Sequence, residues 1–352
     1  MNLARTSDID ETEYERFLDG FAVQPGTALA YHYPFYLRFL SDTVYPGAAR
    51  RFVATRDARG DLTGVVPALH VKTPRVNVWL SLAYFGPNAG ALAPAGPDRD
   101  ATTCALVRGA DTDAREVGCS SLTMYTPLDA SLPPYRAALN GVDFEVGRVS
   151  QWLAIPEDPD ASPWPAKVRY YVRHALSRGV TVRDMTNDDE LAVVWTLYRE
   201  RCDAQSIPVK PFEHLRALFH TAGRHGVFLV AELDGRIIAG LICFIGGGVI
   251  SYYLPVARPG LRGLRPALAL LDRAVAIGRA AGCRKLNFEA SPAVDDPVYQ
   301  FKAECGGTPV PFHVLVKLLR PTALDEYRAL TPDGLRREVP QAFIVPFSAI
   351  AT

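Results

Sequence analysis

The sequence is poor in lysine and has no paired cysteines. Only six of its 38 basic residues are lysines, so each lysine is more informative than any single arginine. The six cysteines are scattered without a CxxC pair, which argues against a zinc site and favours a reducing compartment. No run of about 18 apolar residues is present, and the acidic N-terminus lacks the basic start and apolar core of a signal peptide. We therefore expect a cytoplasmic protein that does not insert into a membrane.

A basic excess and the common cofactor motifs are also missing. The formal net charge is zero, so any contact with nucleic acid must come from local patches. The sequence contains no HExxH, no Walker loop and no GxGxxG, and none of the 7 histidines lies in a recognisable nucleophile motif. We expect neither a metal nor a bound cofactor. What remains is a chain of 352 residues, 48% apolar and 22% charged, which is long enough for two globular domains.

Four features occur twice along the chain in the same order. Each set has an acidic helix start, a short helix, a β-hairpin, and a long helix that runs through Gly-Cys into a strand. The first set lies at 7–21, 34–40, 51–66 and 105–125, and the second at 187–202, 211–219, 227–242 and 268–288. The alternative interpretation is two unrelated α/β halves with similar turn signals. We favour a duplication and predict an α/β (α+β) fold of two tandem domains, each a mixed sheet flanked by helices.

A proline-rich stretch at 156–165 separates the two copies. It predicts a linker between a first domain at 1–155 and a second domain at 166–321. The tail at 322–352 contains a short β-like run from Phe343 to Phe347. We expect this tail to complete the first domain, with the run as an edge strand.

Three segments carry a family resemblance. They read SLAYFGPNAG at 81–90, KVRYYVRHALSRGV at 167–180 and YQFKAECGG at 299–307. With the duplication, they resemble the FemAB-like aminoacyltransferases and their tandem-GNAT acyltransferase relatives. The resemblance implies two GNAT-like domains, the first on the acceptor side and the second on the donor side. It also implies a transferase: the better-known members move an aminoacyl group from aminoacyl-tRNA to an amine of a peptidoglycan precursor, and related members use other acyl donors or build natural products.

Two positions depart from the family pattern. The second helix of the first domain, around Tyr36, lacks the lysine of the peptidoglycan enzymes, and Ala204 stands where many relatives have an arginine. Both changes favour an amine of a small molecule or peptide over a nucleotide-linked acceptor. Our leading hypothesis is an aminoacyl-tRNA-dependent aminoacyltransferase. The alternatives are an N-acyltransferase that uses acyl-CoA or a carrier-protein thioester, and a non-catalytic binding protein that retains the fold.

The resemblance gives Phe301 and Lys302 a role in transfer. Aminolysis of an ester or thioester requires a positioned neutral amine and a stabilised oxyanion. A cation at Lys302, on a predicted short helix after the strand at 286–288, would face that oxyanion or the phosphate next to the donor ester. The alternative is a surface lysine next to a core phenylalanine. We take Lys302 as the best single candidate for a catalytic residue.

A second signal is a basic cluster at 258–285, where Asp272 is the single acid. By the resemblance, this cluster begins where a GNAT domain presents a loop and a helix N-terminus to the phosphates of its donor. The candidates for donor binding are Arg258, Arg262, Arg265 and Lys285. The acetyl-CoA fingerprint (Q/R)xxGx(G/A) does not fit this loop, which favours another donor. A solvated arginine-rich helix face is the alternative.

A third signal is a basic run that starts at Lys167. Arg169 and Arg173 lie one helical turn apart, and no acid occurs between Lys167 and Arg183. These side chains are candidates for holding phosphates of tRNA or of a nucleotide-linked acceptor, with a solvated face as the alternative.

Aromatic residues of the first domain are candidates for an acceptor pocket. Tyr36 lies in the aromatic run at 31–36, and Tyr84 lies in the glycine-rich segment at 81–90. Core packing is the alternative for most of these rings.

Overall fold

The chain forms two compact units. The computed structural model describes residues 2–5, 9–81, 90–128, 130–291 and 293–351. The first unit comprises 1–150 with 310–352, and the second comprises 151–309. No helix within the described ranges is long and apolar enough to cross a membrane. All six cysteines are free thiols, and five of them are buried, where they pack as small apolar side chains.

The first unit begins with short helices and a β-hairpin. Asp10 caps the first helix, because its carboxylate accepts hydrogen bonds from the backbone N–H groups of Thr12 and Glu13 at 3.1 and 3.2 Å. Pro34 occupies the first turn of the second helix, where an N–H is not needed. The α-helices and strands up to residue 154 are β1 (Asn2–Arg5), α1 (Glu11–Asp19), α2 (Pro34–Phe39), β2 (Ala49–Arg56), β3 (Leu62–Lys72), β4 (Asn77–Ser81), α3 (Arg99–Glu116), β5 (Ser121–Tyr125), α4 (Pro133–Leu139) and β6 (Phe144–Ala154).

The second unit repeats this order of elements after the linker. Asn187 caps its longest helix by accepting a hydrogen bond from the Glu190 N–H at 3.0 Å. Gly247 and Gly248 form the tight hairpin turn, with φ of +57° and +73°. Its elements are α5 (Ala166–Ser177), β7 (Thr181–Asp184), α6 (Asp188–Gln205), α7 (Phe212–Thr221), β8 (Gly226–Leu233), β9 (Arg236–Gly246), β10 (Val249–Ala257), α8 (Pro266–Ala280), β11 (Lys285–Asn287) and α9 (Pro297–Glu304).

The end of the chain belongs to the first unit from residue 310 onwards. It contains β12 (Thr308–Leu318) and α10 (Ala323–Glu338). The sequence placed 310–321 in the second domain, but β12 pairs antiparallel with β5, from Val314 opposite Tyr125 to Leu318 opposite Ser121. Long-range pairing of this kind has no local signal.

The prediction of an edge strand at 343–347 is wrong. These residues are not in a strand, and a short 3-10 helix follows at Phe347–Ala349. Pro346 lies within the run, and a proline has no N–H to offer a neighbouring strand. The tail is held instead by contacts such as the hydrogen bond from the Tyr45 hydroxyl to the Pro340 carbonyl oxygen, at 2.7 Å.

The two units have the same strand order. The first has the order β1-β2-β3-β4-β5-β12, and the second has the order β7-β8-β9-β10-β11-β6, in which residues 152–154 of β6 pair with β11. In each, the pair of strands in the fourth and fifth places is parallel, namely β4 with β5 and β10 with β11. Parallel neighbours need a crossover connection, and α3 and α8 provide it. The predicted α/β architecture of two duplicated mixed sheets with flanking helices is confirmed.

Each unit also has its own apolar core. In the first, Trp79 is fully buried, and its Nε1–H donates to Asp113 Oδ2 at 2.9 Å. Asp113 is itself 1% exposed and is paired with Arg51, whose Nε lies 3.0 Å from Oδ2. In the second unit, helix α8 and strands β8 to β11 bury a core that includes Leu271 and Phe288.

Candidate functional site

The parallel strands β10 and β11 pair over only three residues. Their register runs from Val249 opposite Lys285 to Ser251 opposite Asn287 and ends there. The pairing of β10 with β9 has an irregularity between Tyr252 and Leu254, so that β10 bends at this point. In open α/β sheets, ligands bind beyond the carboxyl ends of the parallel strands. The turn that follows β11 therefore lies where a ligand is expected.

Asn287 shapes this turn. Its side-chain Nδ2 donates to Glu289 Oε1 at 2.9 Å, and its Oδ1 accepts from the Glu289 N–H at 3.0 Å. Asn287 is fully buried, and Glu289 has a φ of +63°, which is uncommon for a residue with a side chain. The paired hydrogen bonds hold this conformation and direct the Glu289 carbonyl oxygen towards helix α9.

Lys302 reaches the turn from helix α9. The helix is capped by Asp296, which accepts from the Val298 N–H at 2.7 Å. Lys302 is 3% exposed. Its Nζ contacts three oxygens, which are the Glu289 carbonyl at 2.9 Å, the Ala290 carbonyl at 2.9 Å and the Ser291 hydroxyl at 3.0 Å.

These contacts place a buried amine beside the end of β11. Burial lowers the pKa of Lys302 to about 8, while the negative charges of Glu289 and Asp296 act in the opposite direction. The group therefore does not point into bulk water. The three hydrogen-bonding directions of the Lys302 Nζ are occupied by oxygens of residues 289–291, so Lys302 holds the turn in place. Its role in charge stabilisation stays a prediction.

Phe301, Lys167 and Arg265 line one small pocket. Its other walls include Tyr171, Leu268 and Glu304. The Arg265 guanidinium carbon lies 4.9 Å from the centre of the Tyr171 ring, and Lys167 Nζ lies 3.5 Å from Glu304 Oε2. Three residues predicted separately from the sequence are thus brought together, with partners that hold the two cations.

The remaining basic residues of the cluster at 258–285 have different surroundings where the structure describes them. Lys285 Nζ lies 3.8 Å over the Trp152 ring, and Arg258 is exposed. The side chain of Arg262 lies outside the described part of the structure. Arg279 donates to the carbonyl oxygens of Pro159 and Ala161, both at 2.8 Å. One arginine of the basic cluster therefore fastens the linker.

Helix α5 turns a basic and aromatic face outwards. Arg169 and Arg173 are exposed, and Arg169 Nη1 donates to the Trp164 carbonyl oxygen at 3.0 Å. Tyr170 is 58% exposed and stacks on His174, with ring centres 6.1 Å apart and planes at 28°. Cations and accessible rings in adjacent stripes of one helix can contact phosphates and bases.

The aromatic candidates of the first unit have a different outcome. Tyr36 has no exposed surface and packs edge-on against Tyr31, with ring centres 5.0 Å apart. This is the packing role given above as the alternative, so acceptor binding by Tyr36 stays a prediction. Tyr84 lies outside the described residues.

Lys210 is a residue that sequence reasoning missed. It lies between α6 and α7 and is 2% exposed, with Nζ 4.6 Å from the centre of the Tyr253 ring. Burial lowers its pKa to about 7. The sequence signal for Lys210 was weak. It is one of only six lysines, and it lies between Val209 and Pro211 in a loop that matches no motif.

The strand order with its parallel pair occurs in both units and is that of the GNAT fold, present in tandem. A family model described as an acetyltransferase (GNAT) domain matches residues 166–302, from the start of α5 to Lys302. The second unit therefore carries the match to a GNAT acetyltransferase domain.

Three solved structures share the fold over most of the chain. FemX has 13% identity and a TM-score of 0.69, covering 89% of this chain and 97% of its own. A tandem GNAT protein from the clavulanic acid biosynthesis pathway, solved without AcCoA, has 16% identity and a TM-score of 0.56, covering 91% and 99%. L-PGS from Bacillus licheniformis has 13% identity and a TM-score of 0.54, covering 92% and 96%. No curated protein matches the sequence.

Proposed function

We propose that the protein transfers an aminoacyl group from aminoacyl-tRNA onto an amine of a small molecule or peptide. The observation that carries this proposal is the outer face of helix α5. Arg169 and Arg173 form one stripe of that face, and Tyr170 with His174 forms the next. Exposed guanidinium groups suit phosphates, and an accessible ring stack suits unpaired bases such as those at the end of a tRNA.

The N-terminus of helix α8 supports a donor other than acyl-CoA. A diphosphate bound at a helix start depends on free backbone N–H groups. Pro266 at the first helical position has no N–H, and the Leu268 N–H donates to the Arg265 carbonyl oxygen at 3.0 Å. Two of the first three positions are therefore not available for a diphosphate, in agreement with the missing acetyl-CoA fingerprint.

The chemistry is the aminolysis of the ester that joins the amino acid to the tRNA. The neutral acceptor amine attacks the carbonyl carbon, the C–N bond forms, and the C–O bond to the tRNA ribose breaks. The ribose oxygen leaves as a hydroxyl after it takes up a proton. Lys302 holds residues 289–291 through its three hydrogen bonds. In this proposal, its positive charge also stabilises the developing oxyanion.

The rival proposal is N-acyl transfer from acyl-CoA or a carrier-protein thioester. It is favoured by the match of residues 166–302 to an acetyltransferase (GNAT) domain and by the fold shared with the tandem GNAT protein from the clavulanic acid biosynthesis pathway. Both donors are tested by incubating the protein and a metabolite extract with either a labelled charged-tRNA mixture or a set of acyl-CoAs. We expect labelled product from charged tRNA only, lost on treatment with RNase. Product from acyl-CoA that survives RNase would establish the rival, and no product from either donor would favour a binding protein.

A second experiment tests the α5 surface directly. The double variant Arg169→Gln/Arg173→Gln should bind tRNA more weakly, and the slope of log affinity against log salt should fall by about 1 to 2. The matched control is Arg108→Gln, which removes an exposed arginine from helix α3 of the first unit. Equal binding by all three proteins, measured by fluorescence anisotropy with uncharged tRNA, would contradict a role for α5.

A further inference from the structure

We propose that Lys210 is a second catalytic residue, which accepts the proton that the ammonium group of the acceptor must lose before attack. This proposal rests on acyl transfer to an amine, whichever donor is used. It assigns separate tasks to the two buried lysines of the second unit: Lys302 orders the turn after β11, and Lys210 handles the proton.

The backbone around Lys210 is held from helix α6. The Trp195 indole N–H donates to the Lys210 carbonyl oxygen at 2.9 Å, and the Lys210 N–H donates to the Tyr198 hydroxyl at 3.4 Å. Pro211 follows directly and begins the approach to α7. The Lys210 side chain therefore points into the interior, where its Nζ lies over the ring of Tyr253.

Tyr253 places this amine near the end of the parallel pair. It lies two residues beyond Ser251, the last residue of β10 that pairs with β11, and within the bulge of β10. Glu289 lies two residues beyond Asn287, the corresponding residue of β11. The charge of Glu289 acts to raise the pKa of both Lys210 and Lys302.

The surroundings of Lys210 favour its neutral form. Burial is the main cause of its lowered pKa of about 7; the positive charge of Arg201 lowers it further, while Cys202 and Glu289 act to raise it. The charge of Lys210 in turn contributes to the lowered pKa of His214. Tyr253 from β10 contacts the amine, and Tyr198 from α6 contacts the backbone N–H of Lys210. The titratable groups whose charges interact with the amine are Arg201 and Cys202 from α6, His214 from α7 and Glu289 from the turn after β11.

Lys302 is less suited to accept this proton. Its Nζ is engaged with two carbonyl oxygens and one hydroxyl, so its three hydrogen-bonding directions are already used. A lysine with a pKa near the working pH can serve as a general base, whereas an ordinary lysine remains protonated.

The proposed step is balanced. The Lys210 amine takes one proton from the acceptor ammonium and becomes an ammonium itself. The neutral acceptor attacks the acyl carbon, the new C–N bond forms, and the bond to the leaving oxygen or sulfur breaks. The second proton lost by the attacking nitrogen ends on the leaving group. Lys210 then releases its proton to solvent, so each turnover releases one proton.

Reaction with cyanate tests the proposal without a known substrate. Isocyanic acid adds to neutral amines, so at pH 7 an exposed lysine with a pKa near 10.4 reacts slowly, whereas an accessible Lys210 is expected to react at least about tenfold faster. Sites are mapped by mass spectrometry, with exposed Lys72 and Lys167 as internal references. The same mapping in guanidinium chloride should remove the preference. Modification of the exposed lysines while native Lys210 stays unmodified would overturn the proposal.

Two variants separate a proton acceptor from a site that binds an anion. Lys210→Arg keeps the positive charge but cannot lose its proton, and Lys210→Met removes the charge without adding a polar group. With the donor that gives product in the wild type, we expect both variants to lose about 10²-fold or more in kcat, with KM changed less than about threefold. The acidic limb of the pH profile near 7 should also vanish. An active Lys210→Arg with a raised KM in Lys210→Met would overturn the proposal.

The outcomes remain separable from those of the proposed function. Loss of tRNA dependence would contradict the donor and leave the role of Lys210 standing. The unfolding midpoint of each variant shows whether it has folded, and an unmodified Lys210 in the cyanate experiment overturns the proposal even if no donor gives product.

Discussion

The Nζ atom of Lys302 lies 2.9 Å from the carbonyl oxygen of Glu289, a residue with a φ of +63°. This hydrogen bond joins helix α9 to the turn after β11. A left-handed conformation at a residue with a side chain persists only when its surroundings hold it. Asn287 holds the turn from one side through two hydrogen bonds, and Lys302 holds it from the other.

We expect Lys302→Met to reduce both turnover and stability. The variant leaves the carbonyl oxygens of Glu289 and Ala290 without this donor, which should lower the free energy of unfolding by about 1–3 kcal/mol. Turnover should fall by about 10²-fold or more, because both the turn and the nearby charge are lost. Urea unfolding and initial rates measure the two effects, with Lys72→Met on β3 as an exposed control. Wild-type turnover in the variant would remove Lys302 from the mechanism.

The lowered pKa of Lys210 predicts a pH dependence of stability. Its folded pKa is about 7 and its ordinary value is 10.5, so between these values the unfolded chain binds more protons than the folded chain. Stability from this group is therefore lowest below pH 7 and rises with pH above 7. Relative to Lys210→Met, the wild type should gain about 1–2 kcal/mol between pH 7 and 8.5.

Urea unfolding at several pH values below 8.5 provides the measurement. This range avoids the buried cysteines, whose raised pKa acts in the opposite sense once unfolded thiols ionise. Lys302 has the same sign as Lys210 but is present in both proteins, so it cancels in the difference. A pH-independent difference between wild type and Lys210→Met would show that Lys210 does not titrate in this range.

Gly240 on β9 is predicted to resist substitution. A Cβ atom added there would lie 2.4 Å from Val194 Cγ2 on helix α6, which requires the helix or the strand to move. Gly240→Ala should therefore lower the free energy of unfolding by about 1–3 kcal/mol. Gly20→Ala is the matched control, because its added Cβ meets nothing within 4 Å and its φ is −60°.

A double-mutant cycle identifies the cause. Val194→Ala removes Cγ1 and Cγ2, the two atoms nearest to the new Cβ, and leaves the Val194 Cβ at 3.1 Å, so the double variant should recover part of the loss. Independent, additive losses from Gly240→Ala and Val194→Ala would show that the close approach does not limit this position.

Asp113 is expected to be the most sensitive polar residue of the first unit's core. It is 1% exposed, paired with Arg51, and accepts the Trp79 indole N–H. Asp113→Ala leaves both donors without this acceptor and should lower the free energy of unfolding by about 3–5 kcal/mol. Asp111→Ala, two residues earlier on the same helix, provides a control with a partly exposed pair to Arg115. Similar losses for the two variants, in chemical denaturation, would contradict this ranking.

Local patterns were sufficient to predict most elements of the fold. Asp10 and Asn187 begin helices because their side chains satisfy N–H groups a few residues away, and the Gly247-Gly248 turn depends on positive φ. These interactions span a few residues and leave a mark in the sequence. The strand that pairs with β12 could not be predicted from the sequence, because pairing of Val316 with Thr123 depends on chain segments almost two hundred residues apart.

Some residues of the candidate site could likewise be predicted from the sequence, and others could not. The segment with Phe301 and Lys302 was visible through its resemblance to a family, and Lys167 and Arg265 through the charge around them. Their meeting in one pocket with Phe301 required the packing of α5, α8 and α9. Lys210 had no local signal, since its chemistry comes from burial against Tyr253 on a distant strand.

The sequence by itself determined the duplicated order of helices and strands, because capping residues, turn glycines and hydrophobic spacing act between near neighbours. Tertiary structure alone decided which unit holds β12, which arginines fasten the linker, and which lysine side chains are buried away from solvent. Burial and strand pairing join residues that are distant in sequence, and the free energy of an amine depends on what surrounds it.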